Sequence, residues 1–313
     1  MKSTPLFHLG YPKTASTWLQ KNIFNDPKFG FSSPWEMPNA KSIEHFVLSN
    51  PYVFDPEQVY RDFQAGIEQA IASDTVPVIS HEILVGDPLQ KWDWSCQAAN
   101  RIYQVFPQSR ILILIREQRA MVLSLYRQHI KKGERMTLKR FLSLPAAWPG
   151  FRPGCQLEML NYHHLIAYYQ DLFGRDRILV WPFEQFKQDL ATSLQTFQTF
   201  AHAKGEREVN KIQRGNARNV GYLGWTLVFR RYLNFFCETG FFGPGGPPKS
   251  WQFASTVTKG VDRIIPHAWH QPKERQMKQY IDAVLGDRYQ ESNRHTMALT
   301  GLDLAAFGYN VGA

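Results

Sequence analysis

Four short apolar runs govern what this chain can fold into: "PLFHL" (5–9), "VPVIS" (76–80), "RILILI" (110–115) and "RILVW" (177–181). Each is apolar nearly throughout rather than alternating, which suits a strand buried on both faces, as in a parallel sheet. Segments with helical spacing lie between them. Over 16–25, Trp18, Leu19 and Ile23 share a face, and Ser16 or Thr17 stands where a cap is needed. Over 156–173, Leu157, Leu160, Leu165, Tyr168 and Leu172 run along one stripe before "GRD" breaks it. Such alternation predicts βαβ units and an α/β fold: an open, doubly wound parallel sheet with helices on both faces.

Beyond residue 205 the character changes. Residues 206–220 are polar and basic, 223–237 reads as an aromatic helix, and "GFFGPGGPP" (240–248) excludes regular structure. Two more helices are expected near 273–285 and 287–299. With no internal repeat and no linker, the expectation is one domain over 1–313. It has an α/β core over 1–205 and a helical C-terminal third over 206–313 that closes over the site.

Composition narrows the partners. The 313 residues are 43% hydrophobic and 20% charged, ordinary values for a chain with ample core. A net charge of +9 asks for an acidic partner. No run of five basic residues occurs and the charge is scattered, so nucleic acid is not expected. Cys96, Cys155 and Cys237 form no CxxC pair, which argues against disulfides and a zinc site and for reduced thiols in the cytoplasm. The chain enters its first strand almost at once, leaving no room for a signal peptide, and no apolar run reaches membrane-spanning length.

The stretch "GYPKTAST" (10–17) follows the first strand, where open parallel sheets bind ligands. Gly10 permits a tight exit, and the amides from Lys13 to Thr17 can point inward as an anion nest. The hydroxyls of Thr14, Ser16 and Thr17 add donors, and Lys13 adds a full charge. The stretch is not a Walker A loop, because no second glycine precedes the lysine. A second anion signal stands in "RILILIREQRAMVLSLYRQ": Arg116 at the end of a strand, and Ser124 eight positions on in the next helix. Eight residues are just over two helical turns, so Ser124 can lie on the same side as the strand end. Arginine offers a fork of donors to a phosphate.

Together these stretches resemble the sulfotransferases that use 3'-phosphoadenosine 5'-phosphosulfate (PAPS) and have a P-loop-like fold. That family carries P-K-[ST]-G-[ST]-T-x-[LW] after its first strand; here it stands as Pro12, Lys13, Thr14, Ala15, Ser16, Thr17, Trp18 and Leu19, with alanine where glycine is usual. The resemblance assigns Arg116 and Ser124 to the 3'-phosphate. In "KIQRGNARNVGY" (211–222), Arg214 and Gly215 resemble the family's late R-K-G stretch; its lysine is absent, so Arg214 and Arg218 compete for that role. In "VWPFEQFKQD" (180–189), Phe183 would lie against the adenine.

The resemblance implies transfer of a sulfuryl group to a hydroxylated acceptor (a sugar, phenol or alcohol). The bisphosphate PAP is released and no metal is required. Lys13 becomes the electrophile at the bridging oxygen. For the general base, His81 in "VISHEILVG" ranks first, Glu82 second, and Glu36 in "SSPWEMP" third. Trp92 and Trp94 are candidate acceptor-pocket aromatics, while His163 and His164 read as structural. Two other readings differ in class. A nucleotide phosphotransferase would need a Walker glycine and a magnesium-binding acid. A non-catalytic nucleotide-binding module would keep Arg116 and Ser124 but could lose Lys13 or the base.

Overall fold

In the computed structural model, residues 4–89, 93–143, 154–205, 222–237 and 248–312 are described. Five strands, β1 (Leu6–Gly10), β2 (Phe31–Ser32), β3 (Val76–Ser80), β4 (Ile111–Ile115) and β5 (Ile178–Pro182), form one sheet in the order β2-β3-β1-β4-β5. Every pairing is parallel. β1 is central, with His8 opposite Ser80 of β3 and Leu112 of β4. The loops leaving β1, β3 and β4 therefore open side by side at the carboxyl edge of the sheet.

The aliphatic runs become the buried strands they predict, within a residue at each end. β1 and β4 are buried along their whole length. Successive β1 side chains serve opposite faces. Leu6 joins a cluster with Phe24, Phe29, Phe31, Trp181 and Phe197, whereas Phe7 packs 5.7 Å from both Phe46 and Phe106. Each such buried ring contributes about 1.5–3 kcal/mol relative to exposure.

Several elements differ from the sequence reading: the helix expected over 223–237 ends at Leu233, that expected near 273–285 begins at His267, and a helix over Lys249–Ile264 was not expected. β2 was not foreseen: two residues carry no pattern, and the strand exists through its pairing with β3 and a Ser32–Thr75 hydroxyl bond of 2.7 Å. The first helix is Ser16–Asn22, shorter than 16–25, because Ile23 leaves helical geometry. The 156–173 stripe divides at Asn161 into a 3-10 turn, Leu157–Leu160, and a helix, Tyr162–Phe173.

The chain divides into two compact units that interleave in sequence. One comprises Met1–Glu117, Met159–Gln213 and Tyr289–Ala313; the other comprises Gln118–Glu158 and Arg214–Arg288. This division does not follow the change of character at 205. In the first unit the Gln290–Thr300 helix bonds to Tyr162–Phe173, through His163 Nδ1 and Ser292 Oγ at 2.8 Å and Gln170 Nε2 donating to the Leu299 carbonyl at 3.1 Å. In the second, the Gln118–Lys131 helix is tied to His267–Leu285 by Arg119–Asp282 at 3.1 Å and by Arg127–Glu274. Among the described residues no helix is long and apolar enough to cross a membrane. All three cysteines are free thiols.

Candidate functional site

The loop after β1 folds back on its own strand. A Cβ on Gly10 would meet Ser16 Oγ at 3.0 Å, Thr14 Oγ1 at 3.1 Å and His8 Nε2 at 3.3 Å, so close approach requires glycine here. Lys13 and Ala15 both have φ 71°, in the left-handed region on either side of Thr14. Alternation of this kind turns successive N–H groups to one side and makes an anion-binding concavity. It also explains why glycine suits position 15, since a Cβ is disfavoured at that φ. We expect Ala15→Gly to stabilise the protein by about 1 kcal/mol, strain relief outweighing the extra chain entropy of glycine. Urea unfolding reads this, and a lower midpoint for the glycine variant would contradict it.

The three loop hydroxyls are not equivalent. Thr14 Oγ1 donates to the Tyr11 carbonyl at 2.6 Å, which uses its only hydrogen inside the loop. Ser16 Oγ is buried with no hydrogen-bond partner among the described residues, and Thr17 is exposed. Pro12 is buried, while Trp18 packs edge-on to Phe186 at 5.3 Å and lines the core rather than standing clear of it.

Arg116, the residue after β4, reaches this loop. Its Nη1 donates to the Lys13 carbonyl at 3.0 Å, and its guanidinium carbon lies 5.0 Å from the centre of the Phe183 ring. Lys13, Arg116 and Phe183, far apart in sequence, thus come together in the first unit. The Arg116 backbone is held in turn. Tyr162 Oη donates to its carbonyl at 2.6 Å, and Glu184 accepts from the Glu117 amide at 3.2 Å and from Tyr309 Oη at 3.1 Å. Burial pushes the Tyr162 phenol well above its ordinary range, so it stays protonated as a donor. Ser124 lies, half-buried, in the Gln118–Lys131 helix of the second unit. Arg214, Gly215, Arg218, Trp92 and most of 240–248 lie outside the described residues.

A cavity of about 160 Å³ adjoins the loop, lined by Thr17, Gln20, Lys21, Met37, Pro38, His81 and Glu82. His81 follows β3 directly and caps the Glu82–Val85 turn, its Nδ1 accepting from the Ile83 amide at 3.2 Å. An imidazole that accepts at Nδ1 carries its neutral-form proton on Nε2. Burial lowers the His81 pKa to about 4. The turn is held by Trp94, which is buried and donates Nε1–H to the Ile83 carbonyl at 2.7 Å. Glu36 is exposed, and its neighbours Met37 and Pro38 line the cavity in its place.

Beneath the loop runs a polar chain that the sequence reading missed. Ser80 Oγ accepts from Gln20 Nε2 at 3.0 Å and shares a 2.7 Å bond with His8 Nδ1, while the His81 amide donates to the His8 carbonyl at 3.2 Å. It joins the first helix to the end of β3, from which His81 projects. His8 is fully buried, its pKa lowered to about 3 by burial first and then by His81. The signal was present: a histidine and a serine stand inside otherwise apolar runs, where an interior polar side chain needs partners.

No family model matches the chain, and no curated protein sequence matches it. Solved structures do. A sulfotransferase from Alicyclobacillus acidocaldarius superposes with a TM-score of 0.50 at 14% identity, covering 85% of this chain and 99% of that one. The sulfotransferase domain of the Synechococcus PCC 7002 olefin synthase matches at 0.43 and 13% identity, covering 90% and 95%. A mouse sulfotransferase complexed with PAP matches at 0.39 and 12% identity, covering 95% and 88%. The chain therefore has the sulfotransferase fold, the α/β class expected of its sequence.

Proposed function

We propose that the protein transfers the sulfuryl group of PAPS to a hydroxyl of a small-molecule, glycan or lipid acceptor, releasing PAP. The observation that carries this reading is the convergence of Lys13, Arg116 and Phe183, with Arg116 bonded to the Lys13 carbonyl at 3.0 Å and set over Phe183 at 5.0 Å. The residues fit such a donor. The positive-φ loop and the buried Ser16 hydroxyl, without a partner among the described residues, suit a sulfated phosphate, and the half-buried Phe183 beside Arg116 supplies an aromatic contact for a purine. The donor supplies a good leaving group for in-line displacement.

The chain's own residues do the rest. Lys13 places positive charge where the leaving oxygen gains negative charge. The resemblance assigns the 3'-phosphate to Arg116 and Ser124, with Arg214 and Arg218 competing for a further contact. The acceptor's proton must leave through the cavity beside Thr17. With its proton on Nε2, His81 serves there as a hydrogen-bond donor in the observed arrangement, which makes Glu82 the better base; Glu36 ranks third.

Binding tests the reading first. PAP should raise the melting temperature more than magnesium-ATP does; the reverse order would favour a phosphotransferase. Arg116→Ala should weaken PAP binding by about 1.5–3 kcal/mol, the range for a bond to a charged group. A nucleotide without the 3'-phosphate should be affected much less, and equal losses would make Arg116 a purely structural residue.

The base is tested with acceptors of graded acidity. Glu82→Gln should cost about 10²- to 10⁴-fold in kcat on an alkyl alcohol and little on an acidic phenol, whose proton leaves unaided. His81→Gln should cost less on both. If His81→Gln alone shows the steep dependence on acceptor acidity, the base is His81.

A further inference from the structure

The second unit has a cavity of its own, about 310 Å³ in volume. Leu227, Val228 and Met277 form its apolar wall, and Lys139, Arg231 and Lys273 bring three positive charges to it. Leu227 and Met277 are buried, Lys139 is exposed, and Arg231 and Lys273 are half-buried, so charge rises from floor to mouth.

No carboxylate lines this cavity among the described residues, and none of its three cations has an ion-pair partner there. Two acids of the His267–Leu285 helix, which supplies Lys273, are engaged with other partners. Glu274 pairs with Arg127 and accepts from the Gly224 amide at 2.6 Å, and Asp282 pairs with Arg119. Aromatic rings position two of the cations: Arg231 lies 4.8 Å from the Tyr232 ring centre and Lys273 lies 5.4 Å from that of Trp225. Three like charges around one concavity repel one another until an anion enters, and partly desolvated walls strengthen that attraction. The volume sits at the lower end of the roughly 300–1,000 Å³ typical of small-ligand sites.

We propose that this cavity binds an anionic amphiphile, a molecule with one carboxylate or sulfate head and a short apolar body. The head meets Lys139, Arg231 and Lys273, and the body lies on Leu227, Val228 and Met277. The inference does not rest on the donor reading, since every residue it uses belongs to the second unit.

Calorimetric titration of the full chain with octyl sulfate, octanoate, octanol and octylammonium tests it, each below its micellar concentration and with and without excess PAP. Octyl sulfate and octanoate should bind at least about ten-fold more tightly than the other two. Excess PAP should leave their affinity unchanged. Arg231→Gln and Lys273→Gln should each weaken octyl sulfate about ten-fold. Should either variant melt early, the exposed Lys139→Gln provides the same readout, with a loss of several-fold. Equal affinity for octanol, displacement by PAP, or indifference to the charge substitutions would each overturn the proposal.

Discussion

Lys13→Ala is expected to lower kcat by about two to three orders of magnitude, the range seen when a group that stabilises developing charge is removed. The effect should persist with an acidic phenol as acceptor, because the lost charge serves the leaving group and not proton removal. Stability should change little. Position 13 has φ 71° with either residue, and its carbonyl, which accepts from Arg116, belongs to the backbone. Lys13→Arg should recover only part of the activity, since a planar fork cannot occupy the place of a compact ammonium. Single-turnover kinetics with saturating donor measure this directly. A Lys13→Ala enzyme that keeps more than a tenth of its kcat would remove Lys13 from the chemical step.

Acid should unfold this protein early. His8 and His129 are buried and His81 is half-buried, and desolvation holds their pKa values at about 3 for His8, about 4 for His81 and about 4 for His129, against 6.5 in an unfolded chain. Above pH 6.5 all three are neutral in both states, and the native state keeps its full stability. Between 6.5 and about 4 the unfolded chain binds protons that the native state refuses, so stability is lost as pH falls. At about 1.4 kcal/mol per pH unit per group, lowering the pH from 6.5 to 5 removes about 2 kcal/mol for each histidine. Three such losses approach the whole stability of a marginal domain, about 5–15 kcal/mol. Urea midpoints at pH 7.5 and 5 are the measurement, and His129→Asn should reduce the slope by about a third. A flat profile over that interval would show that these imidazoles titrate freely in the fold.

Four of the five strands were legible because a continuous aliphatic run leaves few alternatives to a strand buried on both faces. The tight exit at Gly10 was legible for a similar reason: a glycine directly after such a strand suits a loop that folds back on it, and here a Cβ would meet Ser16 Oγ at 3.0 Å. What escaped was set by contacts distant in sequence. Tyr162, Glu184 and Tyr309 hold the Arg116 segment from positions up to 193 residues away, and no local spacing announces them. Thr14 and Ser16 look alike in sequence, yet the fold gives Thr14's hydrogen to Tyr11 and leaves Ser16 without a partner among the described residues. His81 was read from its place after a strand; the Ile83 amide that decides its tautomer became visible only with the turn itself.

The interleaving of the two units bears on how the chain can be cut. The backbone passes from one unit to the other four times, at 117/118, 158/159, 213/214 and 288/289. Ending the polypeptide at 205, where composition changes, would strip the Gln290–Thr300 helix from Tyr162–Phe173 and strand residues 118–158 without their helical partners. Neither half would be whole. A nascent chain faces the same constraint: the sheet-bearing unit cannot be completed until its third segment, which begins at Tyr289, has followed the second unit out, so its earlier segments must wait, part-built, while residues 214–288 are made.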